Sequence, residues 1–148
     1  LEYGELLSVC RRLQVMASED VGLAYPAAAS AVRAMCESAK EVGMPEARIP
    51  LANAAVLLAT APKSNSSYLA AAAALEDFNA GRGKIPPEPL RAPLYRGYVY
   101  PHDYPGHYVA QQYAPLEARG FPYYVPSDQG QEEKLRLRRR ERGFKDEP

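Results

Sequence analysis

The sequence predicts an all-α domain: a compact bundle of about four to five helices, with an irregular arm rich in proline and tyrosine and a charged C-terminal helix. Of the 24 alanines, 20 precede residue 81, and alanine is the residue that most favours helix. Nine of the 14 prolines fall between residues 84 and 126, where each removes a backbone donor that a helix needs. Apolar residues also recur at helical spacing through the first 80 residues.

Two helices are predicted in the first 43 residues. The first has one apolar face, whose members are Leu6, Cys10, Leu13 and Ala17. It ends where the polar stretch 18–22 interrupts the pattern. The second begins at Pro26, since proline suits the first helical turn, and ends at Gly43, a common C-terminal stop. Cys10 and Cys36 lie on the apolar faces of these helices, so we interpret both as core residues rather than as nucleophiles or a disulfide scaffold.

Two more helices complete the predicted core. Residues 51–61 (LANAAVLLATA) are apolar nearly all round, which predicts a central helix. A fourth helix follows the capping residues 63–66 and ends near residues 79–83. Its apolar stripe consists of Tyr68, Ala71, Ala72, Leu75 and Phe78. Because alanine side chains are small, we expect these four helices to pack tightly.

The 148 residues divide into three regions of one domain. Residues 1–83 form the helical core, residues 84–126 the arm, and residues 127–148 a charged helix or tail. Eight of the 11 tyrosines lie in the arm, and because aromatic rings bury well we expect the arm to pack on the core. After a cap at Ser127 the last helix is predicted over residues 129–143. Its only apolar residues are Leu135 and Leu137, so it should be solvated or face a partner.

The composition argues against several classes of protein. The 18 basic and 18 acidic residues cancel, so the overall charge favours neither a polyanion partner nor a membrane surface. No apolar run approaches the roughly 20 residues of a transmembrane helix. Leu1 is followed by no charged and then apolar leader, so we expect a cytoplasmic chain that is part of a longer protein.

No nucleotide site is predicted. The only basic glycine-rich stretch is GRGK at residues 81–84. A phosphate-binding loop needs Gly at the position of Phe78 and Ser or Thr at the position of Ile85. We therefore interpret the stretch as a linker that ends a helix. No serine lies in a nucleophile elbow, so we expect neither catalytic residues nor cofactor ligands.

A metal site is one alternative that the residues leave open. His102, Asp103 and His107 could supply three ligands to an open zinc or iron site, which would activate a water. The surrounding prolines and the lack of a further ligand cluster favour ordinary loop residues, with His102 and Asp103 bonded to backbone or tyrosine hydroxyls. We therefore expect no metal.

Nucleic acid is a second open alternative. A basic run in the last helix includes Arg136, Arg138, Arg139 and Arg140, and the tyrosines of the arm could stack on single-stranded bases. Interleaved acidic residues reduce the net charge of residues 131–148 to +2, which favours a solvated helix.

Several stretches resemble one known family. They are ASEDVGLA at residues 17–24, GMPEARIPLA at 43–52, ATAPKSNS at 59–66, YPHDYP at 100–105 and YVAQQY at 108–113. Together they make the chain similar to the C-terminal domain of the MgsA/RarA family of AAA+ ATPases, which includes the Werner-helicase-interacting protein. The motif residues that we assign to structure or interface are Ser18, Glu19, Asp20, Lys63, Ser64, Asn65, Tyr100, His102, Asp103, Tyr104, Tyr108, Gln111, Gln112 and Tyr113.

The resemblance implies a fold like the clamp-loader collar and assembly as a homotetramer. It implies a parent protein whose ATPase module binds ATP and magnesium, and a nucleoid-associated role at stalled replication forks, with DNA and single-stranded DNA-binding protein as partners. Two departures stand out. Tyr25 replaces the Asp that usually caps the second helix, and the stretch between Arg91 and Tyr98 is about ten residues shorter than the family pattern.

Overall fold

Five α-helices follow one another in the computed structural model, which describes residues 5–115, 117 and 122–144. They are α1 (Leu6–Met16), α2 (Ala27–Val42), α3 (Arg48–Thr60), α4 (Ser66–Asn79) and α5 (Glu132–Glu141). The described residues contain no strand. The all-α class and the number of helices are therefore confirmed, and the bounds of α2 agree with the Pro26 and Gly43 signals.

The chain divides into two units. The first comprises the residues up to Ala71 together with those from Tyr124 onward, and the second comprises the residues from Ala72 to Tyr123. The boundary between the two units falls inside α4, whereas the sequence predicts that the helical core ends at residue 83. That the arm packs on the helical core stays a prediction.

The apolar core of the first unit is built by α1, α2, α3 and the linker between α1 and α2. Its fully buried members include Ala28, Val32 and Ala39 of α2 and Ala54 of α3. Small side chains at these positions let the helices approach closely, as the alanine content predicts.

Cys10 and Cys36 join α1 to α2 in the middle of this core. Each thiol points at the backbone oxygen of the other residue, with Sγ–O distances of 3.9 Å from Cys10 and 3.7 Å from Cys36. Burial, and then the neighbouring thiol, raises the pKa of Cys36 to about 11. A thiol with so high a pKa is a poor nucleophile, which agrees with the interpretation of both cysteines as core residues.

The linker between α1 and α2 is an unusual turn. Ala17–Val21 continues α1 as one π-helical turn, and Gly22–Ala24 is a short 3₁₀ turn. Gly22 has a φ of 49°, and a Cβ there would meet the backbone oxygen of Ser64 at less than 3.0 Å. Only glycine fits this close approach. No side chain makes a capping hydrogen bond at the start of α2. The cap that the family's Asp would supply is therefore absent where Tyr25 replaces it.

The apolar stripe predicted for α4 is exposed, contrary to the expectation of a tight four-helix core. Tyr68, Leu75 and Phe78 are 53%, 59% and 53% exposed, and Ser66 is the one buried residue of this helix. The central position predicted for the third helix holds for one face only. Leu51, Ala54 and Leu58 are buried, whereas Ile49 and Val56 are 65% and 62% exposed.

The second unit holds most of the arm as irregular chain with short 3₁₀ turns. These turns are Glu88–Leu90, Pro101–Asp103 and Pro105–His107, each with proline in its first two positions. Asp77 near the end of α4 pairs with Arg82 and accepts a hydrogen bond of 2.7 Å from the Tyr123 hydroxyl. The hydrogen bond from Arg82, and then that from Tyr123, lowers the pKa of Asp77.

The last helix is shorter and more firmly placed than predicted. It begins at Glu132 rather than at residue 129, and Glu132 is completely buried instead of solvated. The Gln131 N–H donates to the Ala24 carbonyl at 2.8 Å, and Gly130 (φ 53°) lies so close to Ala24 and Pro62 that a Cβ would clash with both. The start of α5 therefore docks on the first unit. In the part of the chain that is described, no helix is long and apolar enough to cross a membrane.

Candidate functional site

Two of the motifs that resemble the family meet in the first unit. The Ser64 N–H donates to the Asp20 carbonyl at 2.8 Å, and Gly22 faces the Ser64 carbonyl. This contact joins the π-helical turn to the loop before α4. The two motifs therefore form one surface, although some 40 residues separate them in sequence.

Two open clefts border this surface. One has a volume of about 400 Å³ and is lined by Met16, Asp20, Val21, Leu58, Lys63, Ser64 and Asn65. The other has a volume of about 470 Å³ and is lined by Gln14, Val15, Ser18, Glu19, Ser67 and Tyr68. Both are lined by apolar side chains together with hydroxyl, amide and carboxylate groups.

Lys63 binds the C-terminal end of α3 at this surface. Its ammonium group donates to the Ala59 carbonyl at 3.5 Å and to the Ala61 carbonyl, at the C-terminal end of α3. A cation stabilises the negative end of a helix dipole, so Lys63 serves as a C-terminal cap for α3.

A network of hydrogen-bonded polar side chains surrounds Glu132 in the first unit. Its carboxylate accepts hydrogen bonds from the Tyr124 hydroxyl at 2.7 Å, from Ser127 Oγ at 2.6 Å and from Ser66 Oγ. Ser64 Oγ donates to Ser66 Oγ at 3.1 Å and so extends the network to the family motif. We call these five residues the Glu132 cluster.

The cluster keeps its carboxylate ionised. Burial acts to raise the pKa of Glu132, but the hydrogen bonds from Ser127, Ser64, Ser66 and Tyr124 outweigh it and lower the pKa below its usual value. Burial, followed by the hydrogen bond to Glu132, raises the pKa of Tyr124. The phenol is therefore a neutral donor and the carboxylate a charged acceptor. Glu132 is inaccessible to solvent, and its carboxylate joins the start of α4 to the chain that leads into α5.

The arginines of α5 are only partly available to a ligand. The Arg139 guanidinium lies 5.5 Å from the ring centroids of both Tyr124 and Phe144 and donates to the Tyr124 carbonyl. Arg136 lies 3.9 Å from Glu133. The Nε atoms of Arg136 and Arg139 are buried and have no hydrogen-bond partner among the described residues. Arg138 and Arg140 are exposed, whereas Arg136 and Arg139 are half-buried. The four arginines of the predicted basic run therefore do not form one exposed surface.

The motif residues of the arm lie in the second unit. The Gln111 side chain accepts a hydrogen bond of 2.7 Å from the Val99 N–H and donates to the Val99 carbonyl at 3.5 Å, and Gln112 donates to the Ala114 carbonyl. The Gln111 amide thus links two stretches of the arm that are 12 residues apart, whereas the Gln112 amide closes a local turn. Four tyrosines of the motif are 37–53% exposed, namely Tyr100, Tyr104, Tyr108 and Tyr113.

The His102 ring lies against two other rings of the arm, tilted by 46° and 47° to them. Its ring centroid lies 5.1 Å from that of Tyr100 and 4.9 Å from that of His107. Asp103 is exposed beside it. Within residues 5–115, 117 and 122–144, no three His, Cys, Asp or Glu side chains come together as ligands for a metal ion. The arrangement of these residues therefore gives no support to the zinc or iron alternative.

Sequence reasoning missed Glu132 and its donors. Ser127 was expected to cap the last helix, and its Oγ does accept the Gln129 N–H at 3.2 Å, but its hydroxyl proton is directed to Glu132. Nothing in the sequence distinguishes Glu132 from Glu133, which is exposed. The one available signal was the pair of glycine and glutamine residues before the helix, which permits the close approach to Ala24.

Comparison with known proteins agrees with these motifs. A family model described as MgsA AAA+ ATPase C terminal matches residues 1–142. Replication-associated recombination protein A of Bacillus subtilis is 44% identical over 139 residues, which cover 88% of this chain and 33% of that protein. An uncharacterized AAA domain-containing protein of Mycobacterium tuberculosis is 42% identical over 136 residues, which cover 86% of this chain and 30% of that protein. Replication-associated recombination protein A of Escherichia coli is 38% identical over 142 residues, which cover 89% of this chain and 32% of that protein. The chain thus spans about a third of the length of these relatives.

Proposed function

The chain belongs to the MgsA family of AAA+ ATPase C-terminal domains, and from this premise we propose that it is the oligomerisation and partner-binding domain of an AAA+ ATPase. We infer from the names of its relatives that the whole protein acts in replication-associated recombination, in the maintenance and repair of replication forks. The assembly that we propose is a homotetramer.

The exposed face of α3 is the observation that supports self-association. This face carries Ile49, Ala52, Val56 and Ala59, and the helix has no charged residue after Arg48. Burying apolar surface between subunits stabilises their association by about 25 cal/mol for each Å² removed from water. A face without charge on the surface of one chain is typical of an interface between subunits. The exposed stripe of α4 adds a second such face.

Replacing Val56 by Glu is expected to weaken the tetramer at least tenfold, because a carboxylate would have to enter an apolar interface without a partner. Light scattering after size-exclusion chromatography measures the mass of each variant at micromolar concentration. Ala34→Glu is the matched control, since Ala34 is exposed on α2 and lies outside this face. A monomeric unsubstituted chain would contradict self-association, and a tetrameric Val56→Glu variant would contradict the use of α3.

We also propose that this chain has no ATPase activity of its own. ATP and magnesium would bind in the part of the parent protein that the chain does not cover, because the GRGK stretch lacks the flanking residues of a phosphate loop. Titration calorimetry with ATP and magnesium is expected to show no saturable heat up to millimolar nucleotide. Saturable binding with a micromolar Kd would refute this proposal.

Single-stranded DNA binding is a second candidate function, and the exposed tyrosines of the arm favour it. An accessible aromatic ring contributes about 1–3 kcal/mol for each base that it stacks on. Titration of a labelled oligonucleotide at two salt concentrations tests this function, since phosphate contacts impose a steep salt dependence. If this function holds, single replacements of Tyr100, Tyr108 and Tyr113 by Ala should weaken binding and leave the melting temperature unchanged. Binding that is absent, or that the substitutions do not affect, would exclude it.

DNA and single-stranded DNA-binding protein are the partners that we propose for the whole protein. The two clefts around the joined motifs are the surface that we assign to a protein partner, because they place Ser18, Glu19 and Asn65 at accessible edges.

A further inference from the structure

The C-terminal segment, residues 124–144, is attached to the rest of the first unit by polar contacts and contributes nothing to its buried apolar cluster. The Gln131 N–H binds the Ala24 carbonyl, and the Glu132 carboxylate binds the Ser66 hydroxyl. The cluster of buried apolar residues contains no member of this segment. Within the segment only Pro126 and Glu132 are buried, while Val125, Leu137 and Phe144 are 38–49% exposed.

The attachment determines how easily the C-terminal segment opens. A segment that shares little apolar surface with the core opens at a lower free energy than the core unfolds. Its opening is then governed by the polar group that holds it. Glu132 is that group, because its single carboxylate collects hydroxyls from the start of α4 (Ser66) and from the returning chain (Tyr124 and Ser127).

We propose that the Glu132 cluster is a latch, which holds the C-terminal segment on the first unit and whose opening releases this segment while α1, α2 and α3 stay folded. Opening would break the contacts that cross from the segment to the rest of the first unit, namely Glu132 with Ser66 and Gln131 with Ala24. It would also free Ser66, the first residue of α4. The latch therefore sets whether α5 is held against the start of α4 or released from it.

The charged and titratable groups around the carboxylate are few. Tyr124 is the titratable group that contacts it, and Arg139 lies over the Tyr124 ring. The remaining donors are serines, which do not titrate. A change at Glu132 therefore acts on the latch directly and not through a distant ion pair.

Limited digestion with trypsin tests the proposal, because α5 contains five basic cleavage sites and α1 and α2 contain others, among them Arg11, Arg12 and Arg33. In Glu132→Gln we expect cleavage within α5 to be at least tenfold faster than in the unsubstituted chain, with the sites in α1 and α2 still protected. Tyr124→Phe and Ser127→Ala each remove one donor and should accelerate the same cleavage to a smaller extent. Mass spectrometry of the fragments identifies the sites.

Glu133→Gln is the matched control, since Glu133 is the exposed neighbour of Glu132 and forms a 3.9 Å ion pair with Arg136 rather than a bond to the cluster. It should leave the cleavage of α5 unchanged within twofold. Equal cleavage rates in Glu132→Gln and the unsubstituted chain would overturn the latch. Accelerated cleavage in α1 and α2 as well as α5 would also overturn it, because the segment would then open only with the whole unit.

Discussion

Replacing Gly22 by Ala is expected to destabilise the first unit by about 2–6 kcal/mol, because the added methyl group brings both backbone strain and a steric clash. Gly22 has a φ of 49° and a ψ of −133°, which a residue with a Cβ adopts only at a cost of about 1–3 kcal/mol. The new Cβ would also collide with the Ser64 backbone oxygen, and overpacking of this kind costs a further 1–3 kcal/mol or so. Urea denaturation followed by circular dichroism measures the loss.

Gly43→Ala separates these two causes. Gly43 also has a positive φ, of 68°, but no atom lies within 4 Å of the position that a Cβ would occupy. Its replacement should therefore cost the backbone strain alone, about 1–3 kcal/mol, and less than the replacement of Gly22. Equal losses for the two variants would show that the approach of Ser64 to Gly22 contributes nothing, and that the two motifs do not depend on this contact.

The helices that could be predicted from sequence are those whose burial is decided by their own pattern. Leu13, Val32 and Cys36 lie on stripes of apolar residues at helical spacing, and all of them are buried in the core. Pro26 and Gly43 mark the ends of α2 because their backbone preferences act locally. For these elements the sequence contains the whole cause of the structure.

The fourth helix shows where this reasoning fails. An apolar stripe predicts that a face will be covered, but it does not say whether the same chain or another molecule covers it. Tyr68, Leu75 and Phe78 follow the pattern and are exposed in the single chain. The face of α3 with Val56 has the same property. In both helices the sequence identified the apolar surface correctly and gave no information on its occupant.

The Glu132 cluster could not be predicted for a different reason. Its five residues come from positions 64 to 132, so no local pattern connects them, and a glutamate in a charged helix is exposed in most proteins. The burial follows from the turn before α5, where Gly130 allows the backbone to approach Ala24. Only the tertiary structure brings three hydroxyls to this carboxylate and a fourth, that of Ser64, to Ser66.

The pH dependence of segment opening is expected to follow Glu132 at acid pH and Tyr124 at alkaline pH. The folded-state pKa of Glu132 is lowered, so its contribution is present above the ordinary carboxyl pKa of about 4.3 and is lost as the pH falls through the lower folded value. The folded-state pKa of Tyr124 is raised, so its contribution is present below the ordinary phenol pKa of about 10 and is lost as the pH rises above it. Between about pH 5 and 9 the attachment of the segment should be constant.

Glu132→Ala is expected to lower the free energy of segment opening by about 3 kcal/mol at pH 7, because hydrogen bonds to a charged group contribute about 1.5–3 kcal/mol each and several buried donors lose their acceptor. Hydrogen exchange of the α5 amides measures this free energy, and the amides of α2 report whether the core is affected. The difference between the unsubstituted chain and Glu132→Ala should shrink below about pH 4, where the carboxyl is protonated in the released segment. Glu133→Ala should change the exchange of α5 by less than about 0.5 kcal/mol, since exposed ion pairs contribute little. A difference that stays constant from pH 7 to pH 3 would mean that the Glu132 side chain stabilises the segment by packing alone, and that its ionised carboxylate plays no part in holding α5 in place.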